Sequence, residues 1–185
     1  MRRALLLSVL LVSSAAYAAP AKPAPTVNSE EQLFSQLKKA QSSEEAKAIE
    51  DKLKLMFRAS GSPSVDLLMT RAQAAEAVDD KKTARKLVEA VTQIAPNYAE
   101  GWHSRAAMEQ ADGDDTDALV SLQKTVTLNP RHFEAMVELA SMLEDYGDKA
   151  GALKLYRRAL DIDPQNEVAE HKVRELTTSV EGRDI

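Results

Sequence analysis

Apolar residues along this chain recur at helical spacing, and the stripes come in pairs. Leu33, Phe34, Leu37 and Ala40 share one helical face; Ala46, Ile49, Leu53, Met56 and Phe57 share a second. Ser29 with Gln32, and Ser42 with Glu45, precede these stripes at capping-box spacing. The pattern predicts a helix pair over 29–62, ended by Ser60-Gly61-Ser62-Pro63, whose proline suits the first turn of a new helix. Beyond it the pairing becomes regular. First helices carry Leu68, Trp102 or Met136, then Ala72, Ala106 or Ala140 one turn on, where two backbones must approach closely. Second helices carry Ala84, Ala118 or Ala152, then Val88, Leu122 or Tyr156. Asp79, Gly113 and Gly147 stand at the intervening turns, where a left-handed residue ends a helix. Pro96, Pro130 and Pro164 close each pair.

Every one of these positions repeats after thirty-four residues. A fixed period of that size is the signature of stacked supersecondary units, so the fold class is all-α, an α-solenoid of antiparallel helix hairpins. Three units span 65–98, 99–132 and 133–166, within a repeat region of 63–166. One hairpin has no second face on which to bury its stripe, so stacking and polar ends are required. The 29–62 pair lacks the small residues and the proline register, and is read as a degenerate or capping hairpin. The segment 167–185 is read as a capping helix and tail, with Val168, Val173, Leu176 and Val180 inward, Glu170, Lys172, Arg174 and Glu175 toward water, and Gly182 as its stop.

These residues resemble the tetratricopeptide repeat (TPR) family. Its unit has an early aromatic, a small residue, Gly at the turn, Ala then an aromatic in the second helix, and a closing Pro. The third unit matches best, through Leu139, Ala140, Gly147, Ala152, Tyr156, Ala159 and Pro164. Arg71 and Arg105 depart from the usual Leu, and Glu109 from a common aromatic; Arg105 and Glu109 are spaced to pair on the helix surface. The resemblance implies a groove lined by the first helices. Its inner positions would be Asp66, Met69, Gln73 and Glu76 in the first unit, and Glu100, His103, Ala107 and Gln110 in the second. The third would add Glu134, Val137, Ser141 and Glu144. Five of these are acidic and none is Lys or Arg. The cations with which some relatives clamp a terminal carboxylate are missing, with Glu134 and Glu138 near where two would stand.

The start of the chain reads differently. Arg2 and Arg3, an apolar run over 4–12 broken by Ser8, and Ala16-Tyr17-Ala18 compose a secretory signal peptide over 1–18, with cleavage expected between Ala18 and Ala19. That run is too short to span a bilayer, so no integral span is expected after cleavage. Three prolines make 19–28 an extended Ala/Pro-rich linker. The placement that follows is periplasmic or secreted.

Charge and chemistry narrow the function. With 24 Lys and Arg against 29 Asp and Glu, an acidic body argues against nucleic acid and anionic lipid and favours a basic partner. The chain has no cysteine, which excludes disulfides, thiolate metal sites and thiol nucleophiles. His103, His132 and His171 offer no i,i+3 or i,i+4 pair, so no metal or other cofactor is expected. Asp112-Gly113-Asp114-Asp115 lacks the length and terminal Glu of a calcium loop. No phosphate cradle or nucleophile motif occurs, and no catalytic residue is assigned. The sequence thus reads as a non-catalytic adaptor of the bacterial cell envelope, holding a basic or amphipathic peptide segment in an acidic groove. The alternatives are a self-associating module whose 29–59 hairpin docks on a neighbour's groove, and a regulatory subunit of an envelope enzyme complex.

Overall fold

The computed structural model describes residues 27–182. The signal-peptide reading of 1–18 and most of the 19–28 linker lie outside them. Nine helices and no strand occur among the described residues: α1 (Val27–Leu37), α2 (Ser43–Phe57), α3 (Pro63–Ala77), α4 (Lys81–Ile94), α5 (Ala99–Asp112), α6 (Asp115–Leu128), α7 (Phe133–Asp145), α8 (Lys149–Ile162) and α9 (Glu167–Val180). From α3 to α9 each helix packs on the next in chain order, as stacked hairpins require. The three alanine pairs sit where the backbones meet: Ala72, Ala84, Ala106, Ala118, Ala140 and Ala152 are all buried.

The intra-unit turns share one hydrogen-bond scheme. Asp79, Gly113 and Gly147 adopt left-handed φ values of 57°, 80° and 87°. At each, the following amide donates back five residues, as Asp80 N does to Ala75 O (2.9 Å), Asp114 N to Glu109 O (2.8 Å) and Asp148 N to Leu143 O (2.8 Å). This Schellman closure satisfies carbonyls that a helix end leaves orphaned. The residue after each left-handed position is aspartate. Asp80 and Asp148 then cap α4 and α8 by accepting from Thr83 N (3.1 Å) and Gly151 N (2.9 Å). Asp114 makes no such bond and instead faces Arg85 on α4, which also pairs with Asp112.

Three sequence expectations need correction. Ser29 lies inside α1 rather than capping it: no proline lies between Pro25 and Ser29, and the helix already includes Val27 and Asn28. In α9 the buried residues are Ala169 and Leu176, while Val168 is 58% exposed. Leu176 and Val173 face the core as expected, whereas Val168 and Val180 are exposed, Ala169 is buried in Val168's stead, and Lys172 turns in to Glu144 (2.9 Å) instead of water. Glu109 is 4% exposed, so its bond from Arg105 Nε (2.6 Å) is no surface pair. Ser121 Oγ on α6 donates to it as well, at 2.6 Å, tying the two helices of the second unit together.

The core is divided. The main cluster joins the second and third units to α9 through Leu122, Met136, Leu139, Tyr156, Ala159 and Leu176. A small cluster of Val65, Met69 and Val91 serves the first unit. The α1–α2 pair forms its own cluster of Phe34, Leu37, Ala46, Ile49 and Leu53, and closes it on Phe133 of the third unit, with Ile162 alongside. The hairpin therefore leans on the inter-unit loops of the third unit instead of stacking ahead of α3. Around this seam Gln165 Nε2 donates to the Ala40 carbonyl (3.1 Å), the Arg131 guanidinium lies 3.5 Å over the Phe34 ring and pairs with Glu31, and Phe57 stacks on His132 at 4.9 Å.

Candidate functional site

The twelve groove positions fall into three groups. Asp66 and Met69 are structural. Asp66 Oδ1 accepts from Ser60 N (2.9 Å) and Ser60 Oγ (2.5 Å), bracing the α2–α3 connection. Met69 is buried against Val65 and Val91. Val137 packs half-buried on the main core.

Gln73, Glu76, Ala107 and Ser141 are exposed, and form the open part of the face the sequence assigned. Gln110 is half-buried, its amide donating to Met142 Sδ on α7. Together with the cluster described next, that bond sets α5 beside α7, as neighbouring first helices must lie to line one face.

The acidic positions are mostly occupied by the chain itself. Glu134 pairs with Lys54 of α2 at 2.7 Å, and Glu144 with Lys172 of α9. Glu100 lies 3.6 Å from His103 Nδ1 and 3.2 Å from His132 Nε2. His103 Nε2 reaches Glu138 on α7 at 3.0 Å, and the two imidazoles meet edge to face at 4.5 Å. Burial alone would push the Glu100 carboxyl up, but hydrogen bonds from both imidazoles and their charge hold it at about 2. Burial likewise opposes charge on His103, yet the bonds and charges of Glu100 and Glu138 raise it to about 10. His132 is 1% exposed and caps α7, accepting from Ala135 N at 3.3 Å on Nδ1. Its proton therefore sits on Nε2, donated to Glu100.

Sequence spacing did not assign His132, Lys54 or Lys172 to this face, and placed Glu138 there only as standing where a clamp cation would. Tyr98, His132 and Asn166 stand thirty-four apart at the N-caps of α5, α7 and α9. That register was the one available signal that His132 would face the first turn of the preceding first helix. Single-helix spacing rules cannot see a cluster built across two units.

No helix among the described residues is long and apolar enough to cross a membrane. No family model matches the chain. It is 30% identical over 154 residues to a TPR repeat-containing protein of Rhizobium etli, covering 82% of this chain and 74% of that one. Among solved structures it resembles MamA (TM-score 0.58, 14% identity, 86% of this chain and 88% of that one). It also resembles the Yersinia enterocolitica type III secretion chaperone SycD, solved with a peptide of the translocator YopD (TM-score 0.57, 14% identity, 64% and 95% covered).

Proposed function

Since the chain belongs to the tetratricopeptide repeat proteins, by its 30% identity to the Rhizobium etli protein over most of both lengths, we propose that it is a non-catalytic adaptor holding a cationic segment of another protein along α3, α5 and α7. Proteins of this fold are in general interaction modules, and SycD carries a bound peptide. The observation that carries the cationic reading is internal: Glu134 and Glu144 are already met by lysines brought in from outside the repeats, Lys54 and Lys172. Helix α7 thus meets an ammonium group near each of its ends. Elsewhere on the face Glu76, with Gln73, Ala107 and Ser141, is exposed and open to a partner. Residues 1–18 would direct export, placing the adaptor in the periplasm or outside the cell.

The test is photo-crosslinking in cells from benzoyl-phenylalanine at Gln73 or Ala107, against an outer-face control at Gln123. Adducts of one discrete partner from the first two positions and none from the control are expected. Equal adducts from all three would discard the groove reading. Export is checked separately by sequencing the N-terminus of the purified protein, expected to begin at Ala19.

A further inference from the structure

We infer that Glu100, His103 and His132 form a divalent-metal site, with zinc as the ion their chemistry fits best. One ligand atom from each lies within 4.8 Å of the other two. Tetrahedral zinc takes nitrogen and oxygen ligands at about 2.0–2.1 Å, which sets neighbouring ligands roughly 3.3–3.4 Å apart. Glu100 Oε2 already stands 3.6 Å from His103 Nδ1 and 3.2 Å from His132 Nε2, so two edges of the tetrahedron are close to formed. The third edge, between the imidazoles, is no longer than 4.8 Å.

The surroundings fit as well. A ligating imidazole usually donates its second N–H to a carboxylate, which fixes its tautomer and raises its basicity. With His103 binding through Nδ1, its Nε2–H points at Glu138 Oε2, 3.0 Å away. The Phe57 and Phe133 rings, close to each other and, for Phe57, to His132, keep the His132 side of the cluster dry. Among the described residues the ion pairs of Glu100 and Glu138 run to imidazoles, with no lysine ammonium or arginine guanidinium competing there for a cation's place. Binding has two costs: the ion displaces the Nδ1 proton of His103, and with the ion on Nε2 the His132 proton moves to Nδ1 and the cap to Ala135 N–H is given up. Three protein ligands leave zinc a fourth position for water or a side chain of a bound partner.

The test is calorimetric titration of the metal-free full chain with zinc alone, with Co²⁺ absorption as a geometric probe. One ion per chain and the visible bands of tetrahedral cobalt are expected. Glu100→Gln, His103→Gln and His132→Asn should abolish both; asparagine keeps a cap for α7, and melting curves verify that each variant is folded. Glu138→Gln, acting through His103, should weaken binding by about 10–100-fold. His171→Gln, at an exposed site on α9, should change nothing. Absence of saturable binding, or binding that survives the three ligand substitutions, overturns the assignment.

Discussion

Glu109 shows how far a side chain's role can depart from its position in a repeat. Spaced like a surface partner of Arg105, it is instead buried and accepts from both Arg105 and Ser121. Hydrogen bonds to a charged group contribute about 1.5–3 kcal/mol each, and a stranded hydroxyl adds its own penalty. Glu109→Ala should therefore destabilise the fold by about 2–3 kcal/mol in chemical denaturation, well above the 0.2–0.5 kcal/mol or so of an exposed i,i+4 pair. Gly147 isolates a different effect. A Cβ added there meets nothing within 4 Å, so the only cost of Gly147→Ala is the left-handed backbone at φ 87°. A loss of about 1–2 kcal/mol is expected. At Gly101 the cause would be steric, since an added Cβ would sit 2.9 Å from Val91 Cγ1 where α5 crosses α4.

The repeat helices were readable because alanine, glycine and proline recur in one register, and each has a single physical use there: close approach, left-handed turn, stop. The placement of the α1–α2 hairpin was not. Its stripe predicts two helices but carries no address, and Phe133 and Ile162, which receive it, read as ordinary repeat positions. Phe133→Ala should cost about 3–5 kcal/mol. Hydrogen exchange should then rise first in α1 and α2, while α5 and α6 stay protected.

The same seam is proton-linked. Glu50 on α2 faces Asp163 after α8, with Lys54, and beyond it Glu134 on α7, as the neighbouring charges; Gln165 N–H and Asn166 also serve Asp163. Burial, and for Glu50 the charge of Asp163, push both carboxyls up. Asp163 is fully buried with Oδ2 unpartnered. A raised folded-state carboxyl pKa means the folded form holds the extra proton. The pair's contribution to stability is thus fully present below the ordinary carboxylate range near pH 4, and is lost as pH climbs through the raised range. Melting temperatures between about pH 4 and about pH 7 should show this fall, and Asp163→Asn should flatten it.

For the molecule as a whole, the sequence yields an acidic inner face, and the coordinates add that the chain supplies lysines of its own to two of its carboxylates. Of the assigned positions, Gln73, Glu76, Ala107 and Ser141 stay open, Met69 belongs to the core, and Glu100 is spent on imidazoles. What the sequence could not give was this internal neutralisation, because Lys54 and Lys172 sit on helices outside the repeat register. A partner held by charge must add to, or displace, those lysines, and either step is screened beyond roughly 8 Å at physiological salt. The most direct measurement is the photo-crosslinking yield at Ala107 as ionic strength rises from about 0.05 to about 0.5 M. A steep fall, shallower in Glu76→Gln because one attracting charge is gone, is the predicted result. A yield indifferent to salt in both proteins would contradict the cationic partner.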